Sequence, residues 1–199
     1  MIVVPRVLKE NEDIRMILNE EHYELSGHDI VLRSATAEDG AMLVDYLKTV
    51  CGETPFLLCY PDEVHYTDEQ EEDFIKEHNE AEDAMLILAF VDGLYAGNCS
   101  FTSVGPSRRS KHRADIGIAL FLKYTGFGLG RLMLTRLIRA IKECGFEQAE
   151  LTVVGGNERA YHLYESLGFR ECGRIPNANR YDDGTYADDI HMVLKLKAD

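Results

Sequence analysis

Lys123-Tyr124-Thr125-Gly126-Phe127-Gly128-Leu129-Gly130-Arg131 is the stretch that decides how this chain folds. An apolar run, Ile116 to Leu122, leads into it. Leu129, Leu132, Met133, Leu137, Ala140 and Ile141 leave it at helical spacing, with Arg136, Arg139 and Lys142 on the opposite face. A strand therefore runs into three alternating glycines, and a helix begins there. Such a junction leaves the first backbone N–H groups of the helix unpaired and pointing outward. The helix dipole adds roughly half a positive charge at the same point. Glycines let an anion come close to the backbone, so the segment reads as a phosphate cradle over Gly126, Phe127, Gly128, Leu129, Gly130 and Arg131.

Glycine-rich cradles differ in the residues that flank their glycines. A P-loop requires Gly-Lys-Ser/Thr at the helix start, whereas this chain has Gly130-Arg131-Leu132. A dinucleotide fingerprint requires a small residue where Arg131 stands and an acid after the next strand, where this chain has Gly155-Gly156. The pyrophosphate arm of coenzyme A is the third candidate. The segment resembles the Gln/Arg-x-x-Gly-x-Gly/Ala signature of the GNAT N-acetyltransferases, with Thr125 in the usual Gln/Arg place. That departure removes a side chain but no backbone donor. A second segment, from Asn157 through Ala160 and Tyr164 to Gly168-Phe169, resembles the Asn-x-x-Ala-x-x-x-Tyr-x-x-x-Gly-Phe pattern of the same family. The two lie in the family's order, one helix and one strand apart. The resemblance covers Ile30 to Leu196 and is closest to the branch of ribosomal-protein N-acetylases and uncharacterised bacterial relatives.

The rest of the chain agrees with a domain of this size. Its 199 residues are 45% hydrophobic and 28% charged, which is enough to bury a core without staples. Net charge is −14, which argues against nucleic-acid binding and either favours cationic substrates such as amines or serves solubility alone. The five cysteines at 51, 59, 99, 144 and 172 show no metal spacing with histidine and read as reduced thiols of a cytoplasmic protein. No metal site, secretory signal or membrane span is expected.

Residues 1–29 read as an N-terminal extension, with a helical pattern from Asp13 to Leu25, that packs on the core or forms a homodimer contact. Residues 30–199 read as a single domain. Within it, strands are expected at Ile30–Arg33, Met85–Val91, Leu94–Val104, Ala114–Leu122, Ala149–Val154, Phe169–Arg174 and Ile190–Leu196. Thr36 with Asp39, and Thr67 with Gln70, are capping pairs that open two helices. Asp92-Gly93 is a hairpin turn, Gly145 stops the helix after the cradle, and Asn157 caps the last helix. The pattern gives an α/β fold, of the mixed α+β kind, with a central twisted mixed sheet of about seven strands and helices on both faces. The family resemblance implies the same fold, with the fourth and fifth strands splayed to admit acetyl-CoA.

Acetyl transfer to an amine sets three chemical demands. The amine must lose a proton, the thioester carbonyl must be polarised, and the departing thiolate needs a proton donor. The resemblance implies that Tyr164 is that donor and that Asn157 touches the pantetheine arm as well as capping its helix. Ile118, Ala119 and Leu120 on the feeding strand are expected to offer backbone groups to the pantetheine amides. The base is left between Asp115 on that strand, Glu53 on a loop over the acceptor, and a water relay. The basic run Arg108, Arg109, Lys111, His112, Arg113 reads as a solvated loop, or as a contact to cofactor phosphates or an acidic partner. Direct attack of the amine on bound acetyl-CoA is expected, since no cysteine lies in a low-pKa setting with a paired histidine. A noncatalytic acyl-CoA binding module would keep the cradle without the acid and base, and a nucleotide binder of the dehydrogenase type would bind NAD instead.

Overall fold

The computed structural model describes residues 17–196. Eight strands form one sheet: β1 (Glu21–Leu25), β2 (His28–Ser34), β3 (Ala84–Val91), β4 (Leu94–Ser103), β5 (Arg113–Leu120), β6 (Gln148–Val154), β7 (Arg170–Arg180) and β8 (Tyr186–Lys195). Their order across the sheet is β1-β2-β3-β4-β5-β6-β8-β7. Every neighbouring pair is antiparallel except β5 and β6, which are parallel. Four helices connect them: α1 (Gly40–Glu53), α2 (Asp68–Glu80), α3 (Leu129–Glu143) and α4 (Glu158–Ser166).

The sheet is covered on both sides because its central strands are apolar on both faces. In β3, Met85, Ile87, Ala89 and Val91 enter one core with Met133, Leu134, Leu137 and Ile141 of α3, and with Tyr164 and Phe169 beyond it. The alternate residues Leu86 and Leu88 enter a second core with Leu43 of α1 and Ile75 of α2. A strand buried on both faces must read as a continuous apolar run, as Ala84 to Val91 does. The helix starts follow the side-chain caps. Gln70 N–H donates to the Thr67 hydroxyl at 3.2 Å, and Thr67 N–H donates back to the Gln70 side chain at 3.0 Å.

Three expectations change. The sheet has eight strands, not seven, and the added one is β1. The described part of the Asp13–Leu25 helical pattern is extended, with Glu21 to Leu25 paired to Leu32 to His28; residues 13–16 lie outside the described residues. None of its five residues is fully buried, so it leaves no alternating apolar signature. Its partner is reached through Ser26-Gly27, both at positive φ (54° and 84°), the same tight-turn geometry as Asp92-Gly93 at 50° and 79°. The third change is at the far edge. Strand β7 runs on to Arg180, past Pro176, through a bulge in which residues 176–178 face Asp188 alone.

Candidate active site

Strands β5 and β6 are paired only at their beginnings, Arg113 to Asp115 against Gln148 to Glu150. Arg113 and Glu150 hold this end with a two-pronged ion pair that also holds the Glu150 carboxyl below its usual range. Beyond it the strands part. On its other side β5 stays paired to β4 as far as Leu120 opposite Gly97. Half of the backbone groups from Ile116 to Leu120 therefore face a gap with no strand across it, and groups so placed need a partner. Gly97, at φ 146°, permits this: a Cβ there would run into the Ala119 carbonyl oxygen.

The gap is a cavity of about 760 Å³. Its walls include Ile116 to Leu120 from β5, Thr152 to Val154 from β6, and Asn157 to Ala160, Leu163 and Tyr164 from α4. Glu53 to Leu58, leaving the end of α1, closes one side, and Thr125 and Gly130 close the other. Apolar side chains of the two strands thus make a slot, and its polar lining comes from the loops (Glu53, Thr54, Thr125), from the start of α4 (Asn157, Glu158, Arg159) and from the strands (Asn98, Ser100, Thr152, Asp189).

The glycine segment has the predicted form. Gly126 and Gly128 lie at φ 94° and 105°, and Gly128 caps α3 with no side chain across the helix end. Among the described residues no backbone acceptor takes the N–H groups of residues 126–131. These donors and the α3 dipole converge beside the slot. A Cβ on Gly130 would lie 3.3 Å from a Leu163 methyl, so this glycine lets α3 start close against α4.

Tyr164 lies under the slot, 8% exposed, with its ring 6.0 Å from that of Phe169 in an edge contact. No protein group bonds its hydroxyl among the described residues. Burial pushes its pKa up to about 12. The phenol is therefore neutral, and a donor, at every physiological pH. Asn157 caps its helix, its side chain accepting from Ala160 N–H at 3.2 Å, and it also lines the slot. Glu53 also lines the slot, anchored by the Leu122 N–H, which donates to one carboxylate oxygen at 2.6 Å. The structure does not bring Asp115 there: it sits where the strands begin to part, one residue short of the cavity wall. Burial and the Glu150 charge raise the Asp115 pKa. Of the two acids, only Glu53 meets Tyr164 across one cavity.

Sequence reasoning left other residues without a role. Among the described residues Arg159 is the only basic one on the cavity wall, and its guanidinium donates to the Thr125 hydroxyl at 2.6 Å, beside the free N–H groups. A cradle for a polyanion needs a cation nearby, and Arg159 stands inside the second motif, so that signal was present. Asp189 of β8 also lines the slot and accepts from Asn179 at 2.7 Å. The β1–β2 turn braces the cradle: the Ser26 hydroxyl donates to the Phe127 carbonyl at 3.2 Å, and the His28 ring lies 5.4 Å from that of Phe127. The basic loop before Arg113 cannot serve the cradle. It stands at the other end of β5, seven residues or about 23 Å away.

The thiols also differ from expectation. Cys51 and Cys59 form a disulfide; Cys99, Cys144 and Cys172 are free. The bond joins the last turn of α1 to the loop that returns over the slot, and an eight-residue separation matches no motif. Such a link removes loop-closure entropy from the unfolded chain, worth about 2–3 kcal/mol in the chain-entropy account. Burial raises the thiol pKa of both Cys99 and Cys144, against a nucleophilic role. Among the described residues no group of three His, Cys, Asp or Glu side chains is placed to hold a metal ion, and no helix is long and apolar enough to cross a membrane.

Residues 53–169 match the family model described as "Acetyltransferase (GNAT) family". The chain is 28% identical over 111 residues to the L-amino acid N-acyltransferase MnaT of Escherichia coli K12, a match that covers 56% of this chain and 64% of that protein. Among solved structures it is similar to an acetyltransferase of the GNAT family from Streptococcus pneumoniae, with a TM-score of 0.79 and 29% identity over 83% of this chain and 99% of the other. It has the fold of a phosphinothricin acetyltransferase from Sinorhizobium meliloti in complex with acetyl-CoA, with a TM-score of 0.74 and 17% identity over 84% and 88% of the two chains.

Proposed function

This chain belongs to the acetyltransferase (GNAT) family, and from that premise we propose that it transfers the acetyl group of acetyl-CoA directly to a primary amine. The observation that carries this reading is the parted β5–β6 pair, which joins a slot for a pantetheine arm to a cradle of unpaired N–H groups. The diphosphate lies over residues 126–131 with Arg159 beside it. The pantetheine amides pair with the open edge of Ile118 to Leu120 and with Asn157, which orients the thioester toward Glu53.

The amine nitrogen attacks the thioester carbonyl, a C–N bond forms, and the C–S bond breaks. The carboxylate oxygen of Glu53 not held by Leu122 N–H takes the proton the amine loses. Tyr164 donates a hydrogen bond to the sulfur as negative charge develops there. A phenol with pKa near 12 stands about 3.5 pH units above a thiol near 8.5, so it stabilises the thiolate without giving up its proton at equilibrium. The products are an N-acetylated amine and free coenzyme A. We assign the reaction to the cytoplasm, because it draws on the cell's acetyl-CoA.

Thiol release from acetyl-CoA with a panel of amines tests the reading. Amine-dependent release, with an equal amount of acetylated product, is expected. Saturable acetyl-CoA binding without release for any amine would identify a noncatalytic binding module instead.

A further inference from the structure

A second cavity of about 480 Å³ lies behind the acceptor side of the slot, and Pro55 and Phe56 line both. Its lining includes Tyr60, Tyr181 and Tyr186 and the acids Asp182 and Asp183. The loop over the slot and the β7–β8 turn build it together: the Tyr181 hydroxyl donates to the Pro55 carbonyl at 3.1 Å, and Asp182 N–H donates to the Tyr60 hydroxyl at 3.0 Å. The Asp183 carboxylate is occupied by the Thr185 N–H and hydroxyl, at 2.9 and 2.6 Å. The Asp182 carboxylate has no partner among the described residues. Among the described residues no basic residue lines this cavity, and the one that lines the slot, Arg159, is at the cradle end.

We infer that the acceptor is an aliphatic di- or polyamine, whose second ammonium group sits in this cavity while the first is acetylated in the slot. The inference rests on the acyl-transfer reading above and adds the acceptor's class to it. The walls match such a molecule in order. Glu53 and Asp189 stand at the slot, the apolar Pro55 to Leu58 stretch is next, and then come the tyrosines and carboxylates of the second cavity. An ammonium gains from an aromatic face and from an unpaired carboxylate, and a methylene chain gains from the apolar span. A free carboxylate on the acceptor would meet the like charges of Asp182 and Asp183 there. This chain's acceptor therefore differs from that in the name of its E. coli relative, an L-amino acid N-acyltransferase.

The test compares three acceptors of equal length with saturating acetyl-CoA: hexamethylenediamine, aminohexanol and aminocaproate. The diamine is expected to exceed aminohexanol in kcat/KM by at least about tenfold, one well-placed charge's effect, and aminocaproate to fall below both. In the Asp182→Asn enzyme the ratio of diamine to aminohexanol should fall at least about fivefold, mostly through KM for the diamine. A general loss of fold would lower both rates and leave that ratio in place. Equal kcat/KM for diamine and aminohexanol, a faster aminocaproate, or an unchanged ratio in Asp182→Asn would overturn the inference while leaving acyl transfer standing. No thiol release with any of the three or with the wider panel would remove the acyl-transfer reading, and this inference with it.

Discussion

Replacing Gly128 by aspartate is expected to weaken coenzyme A binding at least ~100-fold, about 2.7 kcal/mol. Two effects combine. Gly128 sits at φ 105°, and a side chain is strained in that region by about 1–3 kcal/mol. The carboxylate would also stand among the free N–H groups of residues 126–131, competing for them and repelling a diphosphate. Two unit charges about 4 Å apart near a protein surface interact by about 4 kcal/mol, so charge repulsion outweighs backbone strain. Gly128→Asn separates the two, because asparagine has nearly the same shape and tolerates positive φ best after glycine. Calorimetric titration should show Gly128→Asp binding at least ~10-fold more weakly than Gly128→Asn, with similar unfolding temperatures. Equal affinities for the two variants would mean that no phosphate lies at this helix start.

Tyr164→Phe is expected to lower kcat at least ~10-fold while changing coenzyme A affinity less than about twofold. The difference comes from when the hydrogen bond matters. A donor to sulfur gains strength as the C–S bond breaks and charge appears, so its loss raises the barrier and leaves ground-state binding alone. One preorganised donor to a developing negative charge is typically worth ~100- to 1,000-fold, and the lower bound here allows for a water in place of the phenol. The ring keeps its contact with Phe169, so packing persists. Because the phenol pKa is raised to about 12, the wild-type enzyme should show no loss of kcat from Tyr164 ionisation below about pH 10. A kcat within about twofold of wild type would leave Tyr164 as a core aromatic only.

The cradle and α4 were legible in the sequence because alternating glycines, a capping Asn157 and a helical apolar stripe are local patterns with one physical meaning. The two-faced burial of β3 was visible as an uninterrupted apolar run. Strand β1 was not, since its half-buried residues gain their structure from pairing with β2 and not from periodicity. Glu53 and Asp115 could not be ranked from sequence, because both were acids near a strand or loop end. Only the point where β5 and β6 separate puts one on the cavity wall and leaves the other outside it. The second cavity was hidden for the same reason. Its tyrosines and acids come from segments about 120 residues apart, joined by the Tyr60–Asp182 contact.

The central claim is that the open β5 edge and the glycine segment hold acetyl-CoA together. The backbone amide resonances of the protein, followed as acetyl-CoA is added, test it most directly. Binding at this site predicts that the amides of residues 118–120 and 126–131 shift together and saturate at one equivalent, with Arg113 to Asp115 at the paired end of the strands little changed. Saturable binding that leaves the amides of residues 126–131 in place would contradict it.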